Sequence, residues 1–438
     1  MSIKKRFFLL LLMITIEFKL YFLFSLLLIF YSKKIFNYNK NNKKILIFRK
    51  SAGIQDIHSA IKTGLIKANI YQVDRDIIKK LFKFYVDKND GEHLIKCDEN
   101  YFQKAKNYNK FLDKSFRYLK GIWNLKAVIG FNIFYRPEFE IQKVCTNLNI
   151  SFISCHKEGI SSQKFIDWMY HLVKKINIKF YGKKILVYNQ SVKKFFKKIN
   201  LVNPNKIKVA GCSRADEQFK YRLIRSKNKK LNNNISRIIF FVMPENSILP
   251  SCIPVGKKHP DFKNNKTLNW NNYNNHTTLA LLKFAKKNQK SCEIIFKEKI
   301  SSRKNIKLKQ FVEKFNLKNV KYINFGNSDE LIKNSDIIIA SYSTTTFEAI
   351  ASGAKIIESR IGLKKDRRLK KYMINYKNLI PYANNSDELI KKIEHLMNIN
   401  TKINRIPNNL KILLNNYLGN NDGKSSSRMA KEINKAID

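Results

Sequence analysis

The chain has 438 residues, too many for one small core, so two α/β domains with a short extra segment are expected. A hydrophobic share of 44% with 12% aromatics excludes a disordered polymer. Lys and Arg number 85 against 33 Asp and Glu, a formal charge of +52, but the excess runs along the whole chain with abundant Asn and Ile, so no specific nucleic-acid partner is expected.

The first predicted element is the apolar run from Phe7 to Tyr31, broken among charged residues only by Glu17 and Lys19. Its length matches the roughly 20 residues that cross a bilayer as a helix. Residues 1–40 are therefore expected to form a membrane anchor, either a transmembrane helix or two apolar halves lying in the interface. No small-residue cleavage site follows, which disfavours a signal peptide. The heavier basic flank, Lys33, Lys34, Lys40, Lys43 and Lys44, is C-terminal to the run. By the positive-inside rule this places the globular body on the cytoplasmic side of the inner (cytoplasmic) membrane. The six cysteines stand singly, without a CxxC, as in a reducing compartment, and no zinc site or disulfide framework is expected.

After residue 43, short apolar β-branched runs alternate with amphipathic stretches. Ile45–Phe48, Ala127–Phe131, Ile150–Ser154, Ile185–Tyr188 and Ile207–Ala210 read as buried parallel strands. Phe165–Lys175 and Val192–Ile199 read as helices between them. The polar segment Arg222–Ser236 is the expected linker, giving an N-terminal domain over 41–228 and a C-terminal one over 229–438. The alternation restarts with strands at Arg237–Val242, Glu293–Phe296, Val320–Ile323, Asp336–Ala340 and Ala354–Ile357. Helices are expected near 277–288, 308–315, 328–334, 345–352 and 387–398. The hexamer Asn-Ser-Asp-Glu-Leu-Ile occurs at 327–332 and again at 385–390, where Ser followed by acids reads as helix-start chemistry rather than a repeat. Two doubly wound Rossmann-like domains follow, with ligands expected beyond the C-terminal strand ends.

The most informative stretch runs from Ser335 to Gly353. A buried strand enters a hydroxyl-rich turn (Ser341-Tyr342-Ser343-Thr344-Thr345), then a short helix that Gly353 closes. The helix-start N–H groups, with the hydroxyls of Ser343, Thr344 and Thr345, suit a phosphate. Glu348, one turn on, can accept hydrogen bonds from a ribose diol. The plainer reading is a capped helix with an incidental Glu. Lys297, at a strand end, can neutralise a diphosphate. Arg214 can donate to phosphate or pair with Asp216. Asp74-Arg75-Asp76 matches a D-x-D metal motif but precedes an apolar helix, so it reads as a helix start and no metal is expected.

Asp336 to Ile357 resembles the donor-binding segment of GT-B glycosyltransferases. Three further pieces resemble bacterial surface-carbohydrate and capsule polysaccharide biosynthesis proteins, a group related to the CDP-glycerol glycerophosphotransferases. These are Cys155-His156-Lys157-Glu158-Gly159, Val209-Ala210-Gly211-Cys212-Ser213-Arg214-Ala215-Asp216 (with Ser213 where Pro is usual) and Ile294 to Lys299 (with Glu298-Lys299 where a His-Pro pair occurs). The resemblance spans about residues 44 to 400. It implies a GT-B-like, metal-independent glycosyltransferase that takes a nucleotide-activated sugar as substrate and needs no cofactor. The acceptor it implies is a surface polysaccharide or a lipid-linked molecule at the membrane.

Transfer to a hydroxyl needs a proton acceptor. Glu158 is the first candidate, with His156 beside it and His58 in the first βα loop as runner-up. Each has a plain alternative, a capping Glu or packing histidines. Three other activities share the sequence features: transfer of glycerol phosphate, sugar-nucleotide epimerisation (for which a convincing acidic set is missing) and a non-catalytic, basic, membrane-bound module that binds polyanions.

Overall fold

The computed structural model describes residues 3–38, 42–49, 51–86, 99–157, 159, 166–167, 170, 173, 179–227, 235–244, 246–247, 268–298, 305–341, 343–363, 374, 376, 378–399 and 405–438. The chain forms two compact units. One comprises Met1–Gly159, Trp168–Arg214 and Lys424–Asp438, the other Ile160–Asp167 and Ala215–Gly423.

The first unit opens with α1 (Ile3–Glu17) and α2 (Tyr21–Tyr31), followed by β1 (Lys33–Phe36). The expected transmembrane helix is corrected here: among the described residues no helix is long and apolar enough to cross a membrane. The run breaks at Phe18-Lys19-Leu20, where Lys19 takes a left-handed φ of +53°. The two halves fold back as a hairpin, with Phe8 stacked on Tyr31. Charged Glu17 and Lys19 thereby stay exposed at the elbow instead of entering an apolar interior.

Next come β2 (Lys44–Arg49), α3 (Ser51–Ile61), β3 (Asn69–Asp74), α4 (Asp76–Tyr85), α5 (Glu99–Trp123), β4 (Leu125–Gly130), α6 (Arg136–Asn147) and β5 (Ser151–His156). The unit continues with β6 (Lys184–Val187), α7 (Gln190–Lys198) and β7 (Ile207–Val209). The sheet order is β1-β3-β2-β4-β5-β6-β7, parallel except for β1, with Ile45 beside Ala127 and Ile153 beside Lys184. β3 reads Asn-Ile-Tyr-Gln-Val-Asp, and its polar alternation hid it from the apolar-run criterion.

The second unit opens with α8 (Asp216–Lys227) and β8 (Ser236–Val242). Asn246–Ser247 and Leu268–Asn269 pair antiparallel, followed by α9 (Asn271–Lys287), β9 (Cys292–Glu298), α10 (Ile306–Glu313) and β10 (Val320–Ile323). Then come α11 (Ser328–Lys333), β11 (Ile337–Ala340), α12 (Thr344–Ser352), β12 (Lys355–Ser359), β13 (Tyr382–Ala383), α13 (Ser386–Asn398) and α14 (Asn408–Leu418). Its sheet runs β10-β9-β8-β11-β12-β13, all parallel.

The expected linker is a helix as far as Lys227. Arg222 donates through Nε to Ala351 O at 2.9 Å and through Nη2 to Ile350 O. Arg225 donates to Ser335 O at 2.6 Å, Lys333 O at 3.0 Å and Ile332 O. The two guanidiniums thus bind the open carbonyl ends of α12 and α11, where a cation also meets the helix dipole. Burial pulls the Arg222 pKa down to about 10. The helix starts in the repeated hexamer are capped by Asn327 and Asn385, one residue before the expected serines. Their side chains accept from Asp329 N at 3.1 Å and Glu388 N at 2.9 Å.

The last helix, α15 (Ser425–Ile437), belongs to the first unit, not to a C-terminal domain ending at 438. Met429, Ala430, Ile433 and Ile437 complete the core that Ile45, Ile57, Ile129 and Ile153 begin. Lys184 holds Glu432 at 2.7 Å. Burying that apolar stripe is what draws the chain end back.

Candidate functional site

In the second unit the chain lays β9 and β10 on one side of β8, then β11, β12 and β13 on the other. The direction therefore switches between β8 and β11, and beyond the C-terminal ends of that pair is where sheets of this topology bind ligands. The turn after Ala340 lies at this point. Ser343 is extended (φ −136°, ψ 149°); its hydroxyl accepts from Thr345 N at 3.2 Å and donates to Thr345 Oγ1 at 3.1 Å. Ser343, Thr344 and Thr345 are partly exposed, so the helix start is open on one side. Gly353 ends α12 at φ +73°, a left-handed conformation that glycine adopts without strain.

Glu348 lies one turn along α12, only 5% exposed. Lys297 sits at the end of β9 as expected, but it is buried and its ammonium donates to the Glu298 main-chain oxygen at 2.6 Å. Burial lowers its pKa. On β12, next to β11 in the sheet, stands a pair that the sequence did not reveal. The Glu358 carboxylate at the end of β12 accepts from Arg360 Nη2 at 2.6 Å and Nε at 2.9 Å. Burial raises the Glu358 pKa, and Arg360 opposes the rise. The Arg360 guanidinium lies 3.9 Å over the Tyr382 ring. A carboxylate closing an apolar strand (Lys-Ile-Ile-Glu-Ser) with Arg two residues on was the available signal.

In the first unit the switch falls between β2 and β4. Gly53 is needed there, because a Cβ would come within 2.2 Å of the Phe131 ring. His156 ends β5 but is 3% exposed, edge-on to Phe196 at 5.0 Å and Phe134 at 5.9 Å. Glu158 lies outside the described residues. His58 is not in the βα loop. It is in the last turn of α3, exposed, and desolvation with Lys62 and Lys33 nearby lowers its pKa. A helix rises about 1.5 Å per residue, so seven residues along α3 take His58 about 10 Å back from the helix start.

Arg214 packs into the first unit through an acid that the sequence did not single out. Its partner is Asp56, buried in α3, which accepts from Arg214 N at 3.0 Å, Arg214 Nη1 at 3.5 Å and Tyr188 Oη at 2.5 Å. Asp216 accepts from Asn420 at 2.6 Å. Burial pushes the Tyr188 phenol up, against the pull of Arg214. Asp56 stands between Ile54 and Ile57 on the core face of its helix, the one sequence sign of a buried polar junction. In Asp74-Arg75-Asp76 the central Arg75 is buried against Glu138, while Asp74 Oδ1 accepts from Asp76 N at 3.2 Å. Among the described residues, no group of His, Cys, Asp and Glu is arranged to hold a metal.

No protein-family model and no curated protein sequence matches the chain. Solved structures do match it, and they show the GT-B fold. The wall teichoic acid polymerase TagF is similar over 100% of this chain and 98% of its own, with a TM-score of 0.51 and 12% identity. A TagF variant soaked with CDPG gives 0.50 and 11%, over 100% and 98%. A protein described as a UDP-N-acetylglucosamine 2-epimerase, from Listeria monocytogenes, gives 0.49 and 12%, over 91% and 97%.

Proposed function

We propose that the protein is a glycosyltransferase that moves a sugar from a nucleotide-activated donor to a surface polysaccharide or lipid-linked acceptor. It would work on the cytoplasmic side of the membrane, without a metal or cofactor. The observation that carries this reading is the partly exposed, hydroxyl-lined start of α12 at the switch point of the second unit. There the helix dipole, first-turn N–H groups and Ser343, Thr344 and Thr345 hydroxyls would meet a diphosphate as its charge develops. Glu348 would take the ribose diol, its sheltered position strengthening each hydrogen bond it makes. Arg214 and Lys297 are engaged by protein partners, so the helix start carries the leaving-group charge in this reading. The acceptor proton would pass to Glu158 or His156.

Melting-temperature shifts with UDP, CDP, GDP and CMP test the proposal. A ligand at a hundred times its Kd adds about 2.7 kcal/mol of stability. The expected result is a rise with one nucleotide, lost in Glu348→Ala. A rise with CDP or CMP alone turns attention to transfer of glycerol phosphate. No rise with any nucleotide, but a salt-sensitive rise with polyanions, would replace the enzyme with a binding module.

A further inference from the structure

The N-terminal hairpin has two apolar faces, and the first unit covers one of them. Inward, Phe8, Leu12 and Ile16 of α1 and Phe24 and Leu28 of α2 are buried. Phe24 meets Phe111 of α5 edge-on at 5.0 Å, and Ser25 Oγ donates to Ser115 O at 2.8 Å. Outward, Phe7, Leu10, Ile14 and Phe18 recur every three or four residues at 38–68% exposure. On α2, Phe22 and Leu23 are 48% and 42% exposed and Phe30 is 84% exposed. Tyr118 of α5, edge-on to Phe22 at 5.3 Å, and Ile122 one turn further continue the surface. A helix apolar on both sides is stable against water only when something covers the second side.

Length and charge identify the cover. Helices of 15 and 11 residues are about 22 and 16 Å long, against about 30 Å of bilayer hydrocarbon. The charged groups sit at the margins: exposed Lys19 at the elbow, exposed Lys33 and Lys34 after α2, and Lys4-Lys5-Arg6 in the sequence before the outward stripe. Cations bordering a short apolar face fit the headgroup layer of anionic lipid.

We propose that the hairpin lies in the plane of an anionic bilayer, its outward stripe sunk into one leaflet and its lysines among the headgroups. The hairpin belongs to the first unit and the helix start at Ser343 to the second, so vesicle binding and nucleotide binding are tested independently.

Flotation of the full chain with vesicles tests it. Phosphatidylcholine vesicles containing phosphatidylglycerol should carry the protein, high salt should weaken the binding, and pure phosphatidylcholine should bind much less. Phe7→Ser/Leu10→Ser/Phe30→Ser should lower partitioning at least about a hundredfold with an unchanged melting temperature. Lys33→Gln/Lys34→Gln should lower it about thirtyfold on anionic vesicles alone. Should the serine variant fold poorly, the lysine variant decides, and unchanged binding overturns the proposal. So does a wild-type chain that ignores vesicles, or a lipid-free dimer that the serine variant turns into a monomer, which would make a second copy the cover.

Discussion

At the switch point of the first unit the strand ends are filled by buried side chains, whereas at that of the second the chain turns into a partly exposed helix start. Asp56 already accepts hydrogen bonds from Tyr188 and from both the backbone and the guanidinium of Arg214, and His156 lies between aromatic rings. Among the described residues, the Ser343 hydroxyl bonds within its own turn, to Thr345. Both sheets obey the switch-point rule, yet topology sets only the place of a crevice. What fills that place decides whether it holds the fold together or receives a ligand.

The strongest way to break the comparison is to open the filled edge. Asp56→Ala leaves the Arg214 charge and the buried Tyr188 hydroxyl without their shared partner. It should cost about 3–5 kcal/mol by denaturant unfolding. A loss below about 1 kcal/mol would mean that the edge is not structurally occupied. Gly53→Ala should cost about 1–3 kcal/mol through the clash with Phe131. Adding Phe131→Leu should recover part of that loss, and a double-mutant cycle checks the coupling.

Ser343→Ala sharpens the other side. It should remove about 1 kcal/mol of capping and weaken nucleotide binding about fivefold. Ser343→Gly should restore most of the stability without restoring the affinity, read by denaturation and titration calorimetry. If affinity returns with stability, the hydroxyl serves the helix alone.

The smallest effect concerns the docked last helix. Burial raises the Glu432 pKa, but hydrogen bonds from Lys184 and Lys435 outweigh it, and the net shift is downward. A lowered carboxylate pKa stabilises the fold above the unfolded value and loses that contribution as pH falls through the folded one. The melting-temperature advantage of wild type over Glu432→Gln should therefore hold at neutral pH and shrink below about pH 4. An advantage constant down to pH 2 contradicts the pairing.

The sequence was legible where local patterning decides the structure. The runs read as strands at 45–48, 127–131, 237–242 and 336–340 fall on the core strands Lys44–Arg49, Leu125–Gly130, Ser236–Val242 and Ile337–Ala340, because a strand buried on both faces is apolar over most of its length. Ser343 and Gly353 were readable as the two ends of one short helix because caps act over three or four residues. α6 escaped the same reading. Arg136, Glu138, Glu140 and Gln142 read as solvent-exposed polar residues but are buried, Glu138 against Arg75 and Glu140 against Tyr101 and Asn109.

Sequence alone thus determined the alternation of strands and helices and the helix start at Ser343 with its acid one turn on. Tertiary structure decided that residues 3–31 fold back as a hairpin, that Arg214 faces Asp56, and that Ser425–Ile437 returns to the first unit. The physical reason is range. Caps and apolar periods act between neighbours, whereas Asp56 and Arg214 stand 158 positions apart and Ser213 and Ser426 stand 213 apart. Such partners are chosen by which buried polar groups remain to be satisfied once the sheets have formed.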